Sequence, residues 1–276
     1  MLFVSVLALI GITSCSDAYQ PGQRLNDLKT YAATLPKTET SSIVNLTNKF
    51  LEIYSSAAPE ECDQATLFIN RFMEQSVDSI YEKHINFLNS ESIFLFCENY
   101  TEDSAYIIKE DPEVKDFAQA AIKNGYRFMI YEGMGYIEKA VSFPGDNVLK
   151  KLTLPLRLYY VQMSKEQKEG FALDAGLSVP PDVLADRIVW CEDYLKKYPD
   201  ALMKNEVREK MAFLTETIKY GLDNTPAFDY MTGKLTREFN DAYLRIFAKY
   251  PDSPAINGIK TFYGKVKDNN FNRVEE

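Results

Sequence analysis

The chain of 276 residues holds one histidine, His84, and one tryptophan, Trp190. With a single imidazole, a serine-type catalytic triad has only His84 to serve as base. His84 lies on a Val77–Tyr81–His84–Leu88 stripe of helical spacing, the position of a packed ring. The four cysteines, Cys15, Cys62, Cys97 and Cys191, include no CxxC pair and no Cys/His cluster, which argues against structural zinc. Gly133 and Gly135 are followed by no Lys-Ser/Thr, so they do not make a phosphate-binding loop. No dense run of Lys or Arg occurs, and 31 basic residues face 40 acidic ones for a net charge of −9. Affinity for nucleic acid comes from neutralising phosphates, so this balance argues against a nucleic-acid partner. It argues equally against adsorption to anionic lipid by charge. No motif implies a cofactor.

Long hydrophobic runs are also missing. Leu2 to Thr13 is apolar and uncharged, but a bilayer span needs about 20 residues, whereas the core of an export signal needs roughly 7–15. Directly after it stand Ile12-Thr13-Ser14-Cys15. This tetrad resembles the lipobox of bacterial lipoproteins, an aliphatic residue and two small ones ahead of the cysteine that is lipidated. The resemblance implies that residues 1–14 are a signal peptide removed on export. It further implies that Cys15 carries a diacylglycerol and becomes the new N-terminus, and that residues 15–23 form a short tether. Each buried CH₂ of such a chain contributes about 0.8 kcal/mol, so two or three chains hold a protein at a membrane. One feature departs from the pattern, since no Lys or Arg precedes Arg24. The expected address is a bacterial cell envelope, the outer membrane for a Gram-negative source, with the folded part outside the cytoplasm. In an oxidising compartment a Cys62–Cys97 bridge is available. Cys191 lies on an apolar stripe and reads as a buried free thiol.

What the chain does have is apolar material, 46% hydrophobic residues with 18 Tyr and 17 Phe, arranged with helical periodicity. Leu184, Ile188, Cys191 and Leu195 fall on one face of a helix that follows Pro180-Pro181 and stops at Tyr198-Pro199. Val207, Met211, Leu214 and Ile218 mark the next, which ends near Gly221. Leu235, Phe239, Ala242 and Ile246 mark a third, and Ile256, Ile259 and Tyr263 a fourth. In the N-terminal half, helices are expected over 41–54 and 62–88, and another opening with Asp111 as N-cap and Pro112 in its first turn. A further helix spans Lys150 to Glu169, its start delayed by Pro155. Residues 90–110 read as a linker and Phe171 to Pro181 as a loop. The exception is Tyr126 to Phe143, where β-branched and aromatic residues alternate around Gly133-Met134-Gly135, the pattern of a small β-hairpin. The expected architecture is mainly α, antiparallel helix pairs with one hairpin near 126–143, in a single domain over residues 24–276.

Lys196-Lys197-Tyr198-Pro199-Asp200 and Ala248-Lys249-Tyr250-Pro251-Asp252-Ser253-Pro254-Ala255 resemble the connector of periplasmic tetratricopeptide lipoproteins that serve outer-membrane assembly and cell division. Physically, the helix stops before Pro251, Ser253 caps the next, and Pro254 is preset for its first turn. The resemblance covers about Asp182 to Lys267. The two copies stand 52 residues apart, against about 34 for that repeat, and its Trp and Leu-Gly pattern is missing. It therefore implies helix-pair packing in the C-terminal part, 182–270, and a groove for a protein or peptide. The stretch Tyr220 to Asp229 is similar to one in uncharacterised secreted bacterial proteins, which carry no assigned activity.

Candidate contact residues follow from these readings. Glu132 and Tyr136 flank the glycines. Asp174 lies in the loop. Trp190 and Tyr194 share a helix face, and Tyr220 and Asn224 border a polar turn. The leading expectation is a non-enzymatic, membrane-anchored scaffold for a protein or peptide partner. The alternatives are a glycan or small-ligand binding lipoprotein and a glycan hydrolase pairing Glu132 with Glu138 or Asp174.

Overall fold

A computed structural model of the chain describes residues 19–20, 22–101, 108–140 and 143–274. The export segment, Cys15 and the first part of the expected tether lie outside them. Among the described residues the protein is mainly helical, with three small antiparallel two-stranded sheets.

The N-terminal half opens with α1 (Gln23–Ala32), α2 (Ser41–Ile53) and α3 (Pro59–Lys83). On α2, Ile43, Leu46, Phe50 and Ile53 share one face and are all buried, meeting Leu28 of α1 and Ile69 and Met73 of α3 in one core. Proline in the first turn of α3, followed by Glu60 and Glu61, suits a helix N-terminus by fixed φ and by dipole. The helix expected to run unbroken to Leu88 stops at His84 (φ −111°, ψ 22°), and α4 (Ile85–Leu88) follows. Leaving helical geometry there lets the imidazole stack on Phe117, ring centroids 4.2 Å apart, and on Phe87. Part of the expected linker is a 3₁₀ helix over Glu91–Phe96, and Cys97 bridges to Phe128. Helix α5 (Pro112–Lys123) begins as its sequence predicts. Asp111 Oδ1 accepts the Glu113 and Val114 amides at 2.9 and 3.4 Å.

Strands β1 (Tyr126–Tyr131) and β2 (Met134–Lys139) pair from Tyr126↔Lys139 to Tyr131↔Met134. The turn is Glu132–Gly133, both at positive φ, the twist that a two-residue hairpin requires. It therefore lies one to two residues earlier than the glycine pattern suggests, and Gly135 belongs to β2. A Cβ on Gly135 would stand 2.6 Å from Ile93 Cγ2 and 2.7 Å from the Leu88 carbonyl oxygen, so this glycine serves close packing of β2 on α4. Tyr126, Phe128 and Ile137 turn into the N-terminal core. Arg127, Met129 and Tyr131 alternate to the other face.

The C-terminal half runs α6 (Asp146–Leu149), α7 (Leu154–Glu169), β3 (Ala172–Leu173), β4 (Gly176–Leu177), α8 (Pro181–Lys197), α9 (Lys204–Tyr220), β5 (Gly221–Leu222), β6 (Thr225–Pro226), α10 (Arg237–Lys249) and α11 (Pro254–Asp268). Pro155 occupies the first turn of α7, four residues after the expected start. Buried Leu184, Ile188, Leu214, Ile218, Phe239 and Ile246 form a second core from the faces that the periodicity marks. Ser253 Oγ accepts the Ile256 amide at the start of α11. The segment expected as a loop after α7 is a β-hairpin, β3–β4. Its counterpart β5–β6 follows α9, with Leu-Asp shared between Leu173-Asp174 and Leu222-Asp223. The Asn224 amide donates to the Ala175 carbonyl (2.9 Å) and the Leu177 amide to Thr225 Oγ1 (2.8 Å), which sets the two hairpins edge to edge. The 52-residue spacing of the Tyr-Pro-Asp turns is thus the length of a unit of helix, hairpin, helix and turn.

Helix α7 joins the halves. Leu156 and Tyr160 belong to the first core, while Leu158 and Tyr159 pack on Cys191, Tyr194 and Val207. The Tyr194 hydroxyl donates to the Pro155 carbonyl. Cys62, Cys97 and Cys191 are all buried free thiols, and Cys62 and Cys97 are not bridged. Burial pushes Cys97 and Cys191 up to about 12 and Cys62 above its ordinary value. No helix among the described residues is long and apolar enough to cross a membrane.

Candidate functional site

Two hairpin turns converge with Asn224 around a cleft of about 680 Å³. Glu132–Gly133 comes from β1–β2, and Asp174–Ala175 from β3–β4. Asn224 enters from the turn of β5–β6. Its side-chain amide also binds the Asp174 carbonyl, so it staples two turns together. Phe94, Tyr100, Ile130 and Leu173 supply the apolar wall. Asn99 fixes the strand end beneath it: its Oδ1 accepts the Ile130 amide and its Nδ2 donates to the Ile130 carbonyl, both at 2.7 Å. Glu132, Asp174 and Ala175 are non-glycine residues at φ +50°, +47° and +56°, a conformation that costs about 1 kcal/mol or more each. That cost is borne at the rim of the cleft, where it aims two exposed carboxylates at the opening. Among the described residues no Lys, Arg or His lines it.

Glu132, Asp174 and Asn224 are therefore brought together from three parts of the chain. The remaining sequence-selected residues are not. Tyr136 is half-buried, its ring 5.8 Å from Tyr81 and 5.5 Å from Tyr131. Trp190 stacks on buried Tyr194 at 5.0 Å in the cluster under α7. Tyr220 packs on Phe262 and Phe228 of the C-terminal core, with Arg273 over its other side. Tyr194 is buried and the other three are half-buried, each against a neighbouring aromatic ring. Cys15 lies outside the described residues.

Glu138 is held by Arg127 (2.7 and 3.1 Å) and by the Tyr131 hydroxyl (3.0 Å). Glu132 and Asp174 are exposed on turns that line one cleft.

A second cleft, about 480 Å³, was not legible as a site from sequence. It lies between the outer face of β1 (Arg127, Met129, Tyr131) and helices α7, α8 and α9. At its floor Arg187 is 3% exposed and Glu166 5% exposed. Arg187 Nη2 donates to the Gly170 carbonyl (2.7 Å) and to Glu169 (3.2 Å). Its Nε faces Glu166 Oε2 at 3.8 Å, beyond hydrogen-bond reach, and has no acceptor among the described residues. Glu166 Oε1 accepts from Gln162 Nε2 (2.8 Å), and its Oε2 pairs with Lys210. A signal for Arg187 did exist. It stands three residues after Leu184 and four before Cys191, so a charge occupies the apolar stripe of α8. Burial beside Glu138 pushes Tyr131 up to about 12, which leaves a neutral hydroxyl at the rim.

The sequence matches no protein-family model. It finds no match among curated proteins and none among solved structures.

Proposed function

We propose that this chain is an exported, lipid-anchored protein of a bacterial cell envelope whose folded part is a non-enzymatic binding module for a protein or peptide partner. The anchor rests on the apolar run before Ile12-Thr13-Ser14-Cys15. The binding reading rests on one observation, the acid-rimmed cleft at the hairpin turns, where Glu132 and Asp174 stand beside an apolar wall with no cation among the described lining residues. Such a cleft matches a partner segment carrying Lys or Arg next to an apolar side chain. The apolar part supplies buried area, and the charge sets orientation and on-rate.

Two measurements separate the parts of this reading. Cys15→Ala releases the protein from the membrane fraction or leaves residues 1–14 attached, and unchanged fractionation and mass would refute the anchor. For the module, affinity capture from the native envelope is compared between the natural chain and a Glu132→Lys/Asp174→Lys double variant. Both side chains are exposed, and because both residues hold positive φ, far-UV circular dichroism and a urea midpoint check that the variant keeps the fold. The reading expects one partner to vanish from the variant while the rest persist. Identical captured sets would refute it.

A further inference from the structure

We propose that the cleft between β1 and helices α7, α8 and α9 binds a small organic carboxylate with an apolar or aromatic body, a site separate from the acid-rimmed cleft. The residues lining this cleft are Arg127, Arg187 and Lys210 against the single carboxylate Glu166; with Glu98, Glu138 and Glu169, which pair the two guanidiniums, the cluster has no net positive charge, and what the cleft offers a guest is charged donors. Glu98, Glu138 and Glu169 hold the outer edges of the two guanidiniums but do not line the cleft.

Burial gives the second strand. A guanidinium removed from water is strongly disfavoured unless its donors are met. Arg187 is 3% exposed, and its Nε–H, 3.8 Å from Glu166 Oε2, makes no hydrogen bond among the described residues, in a cavity large enough for a guest, within the ordinary size of small-ligand sites. A carboxylate oxygen is the natural acceptor, since guanidinium and carboxylate meet with matched geometry. Lys210, a quarter exposed, and Arg127 at the rim lie on the approach. Above this floor the walls are Met129, Met163, Phe171 and Phe213. Thioether and aromatic side chains accept flat or flexible apolar groups. Phe213 is 54% exposed although its ring is 5.4 Å from Phe171. An exposed aromatic edge over a charged floor fits the apolar body of an amphipathic acid.

The test titrates the full chain with 3-phenylpropionate and, in parallel, with its neutral analogue 3-phenylpropanamide, by calorimetry and ligand-observed NMR. The acid is expected to bind at one site and the amide about tenfold more weakly, the factor for one charge-assisted hydrogen bond in a half-open cleft. Lys210→Gln should bring the acid down to the level of the amide and leave the amide unchanged. Phe213→Ala should weaken both. Equal binding of acid and amide, or no binding of the acid at millimolar concentration, overturns the assignment. If Lys210→Gln fails to fold, Phe213→Ala decides alone, because that ring is more than half exposed and its loss is tolerated: an unchanged Kd for the acid overturns the site. Glu132→Lys, in the other cleft, should leave every one of these values as it was.

Discussion

Thr153→Val should destabilise the protein by an amount that depends on pH. Asp63, on α3, is 3% exposed. It accepts the Thr153 amide on Oδ1 (3.0 Å) and the Thr153 hydroxyl on Oδ2 (2.6 Å). Thr153 stands at the N-cap of α7 with no side-chain cap of its own, so a carboxylate from a distant helix satisfies that end. Valine keeps the shape and removes the hydroxyl, which leaves a buried carboxylate oxygen without its donor. A hydrogen bond to a charged group contributes about 1.5–3 kcal/mol, so a loss of about 2 kcal/mol at neutral pH is expected. Burial already holds Asp63 above its ordinary 3.8, and the two bonds from Thr153 oppose that rise. A carboxyl whose folded pKa lies above the unfolded one binds its proton more tightly when folded. Its contribution is greatest below the unfolded value and declines as pH rises through the folded value. Removing the hydroxyl raises the folded value further, so the variant goes on losing stability over a range where the natural chain has levelled off. Urea unfolding followed by far-UV circular dichroism should show a small deficit near about pH 4 and the full deficit near about pH 7. A deficit equal at both pH values, or one below about 0.5 kcal/mol at neutral pH, would refute the reasoning.

Three further outcomes are expected. Gly135→Ala places a methyl against the Leu88 carbonyl and Ile93 and should cost about 1–3 kcal/mol as overpacking, read as a lowered urea midpoint. An unchanged midpoint would mean that β2 is not so tightly seated on α4. Thr66→Val should be neutral or stabilise by up to about 1 kcal/mol, because Thr66 is fully buried and its hydroxyl has no partner; clear destabilisation would reveal a missed hydrogen bond. Burial, with Lys83 beside it and Glu39 opposing, holds His84 below its ordinary 6.5. Its contribution is therefore complete above about pH 6.5 and is lost as pH falls through the lower folded value. Replacing it with Phe should flatten the difference in stability between pH 7 and 5, about the range in which imidazole titrates, and an unaltered difference would count against a packed imidazole.

The helices of the C-terminal half could be read residue by residue, because each buries one face and leaves the rest in water. Leu184–Ile188–Cys191 and Ile256–Ile259–Tyr263 are periodic for that reason, and Asp111-Pro112 and Ser253-Pro254 announce their helix starts through capping chemistry that is local. The β1–β2 hairpin was legible as well, since its alternation reports two faces with different surroundings. Its turn was misplaced by the glycines, because Gly135 answers to Leu88 and Ile93 rather than to the turn. The hairpins after α7 and α9 were not visible. Strands of two residues have no periodicity, and their partners are one another.

The candidate clefts divide along the same line. Glu132, Asp174 and Asn224 could be singled out as polar residues at turns, but the meeting of Asp174 with Asn224 depends on bonds between hairpins about 50 residues apart, and that of both with Glu132 on the packing of the two halves. A shared helix face, as for Trp190 and Tyr194, does not by itself say whether water or a neighbouring helix covers it. Local order, helix ends and the tetrad around Cys15 belong to the sequence, because they arise from residues adjacent along the chain. The meeting of Arg187, Glu166 and Lys210, and the two clefts at one hairpin, belong to the tertiary structure, because only packing brings three helices and a strand to the same few ångströms.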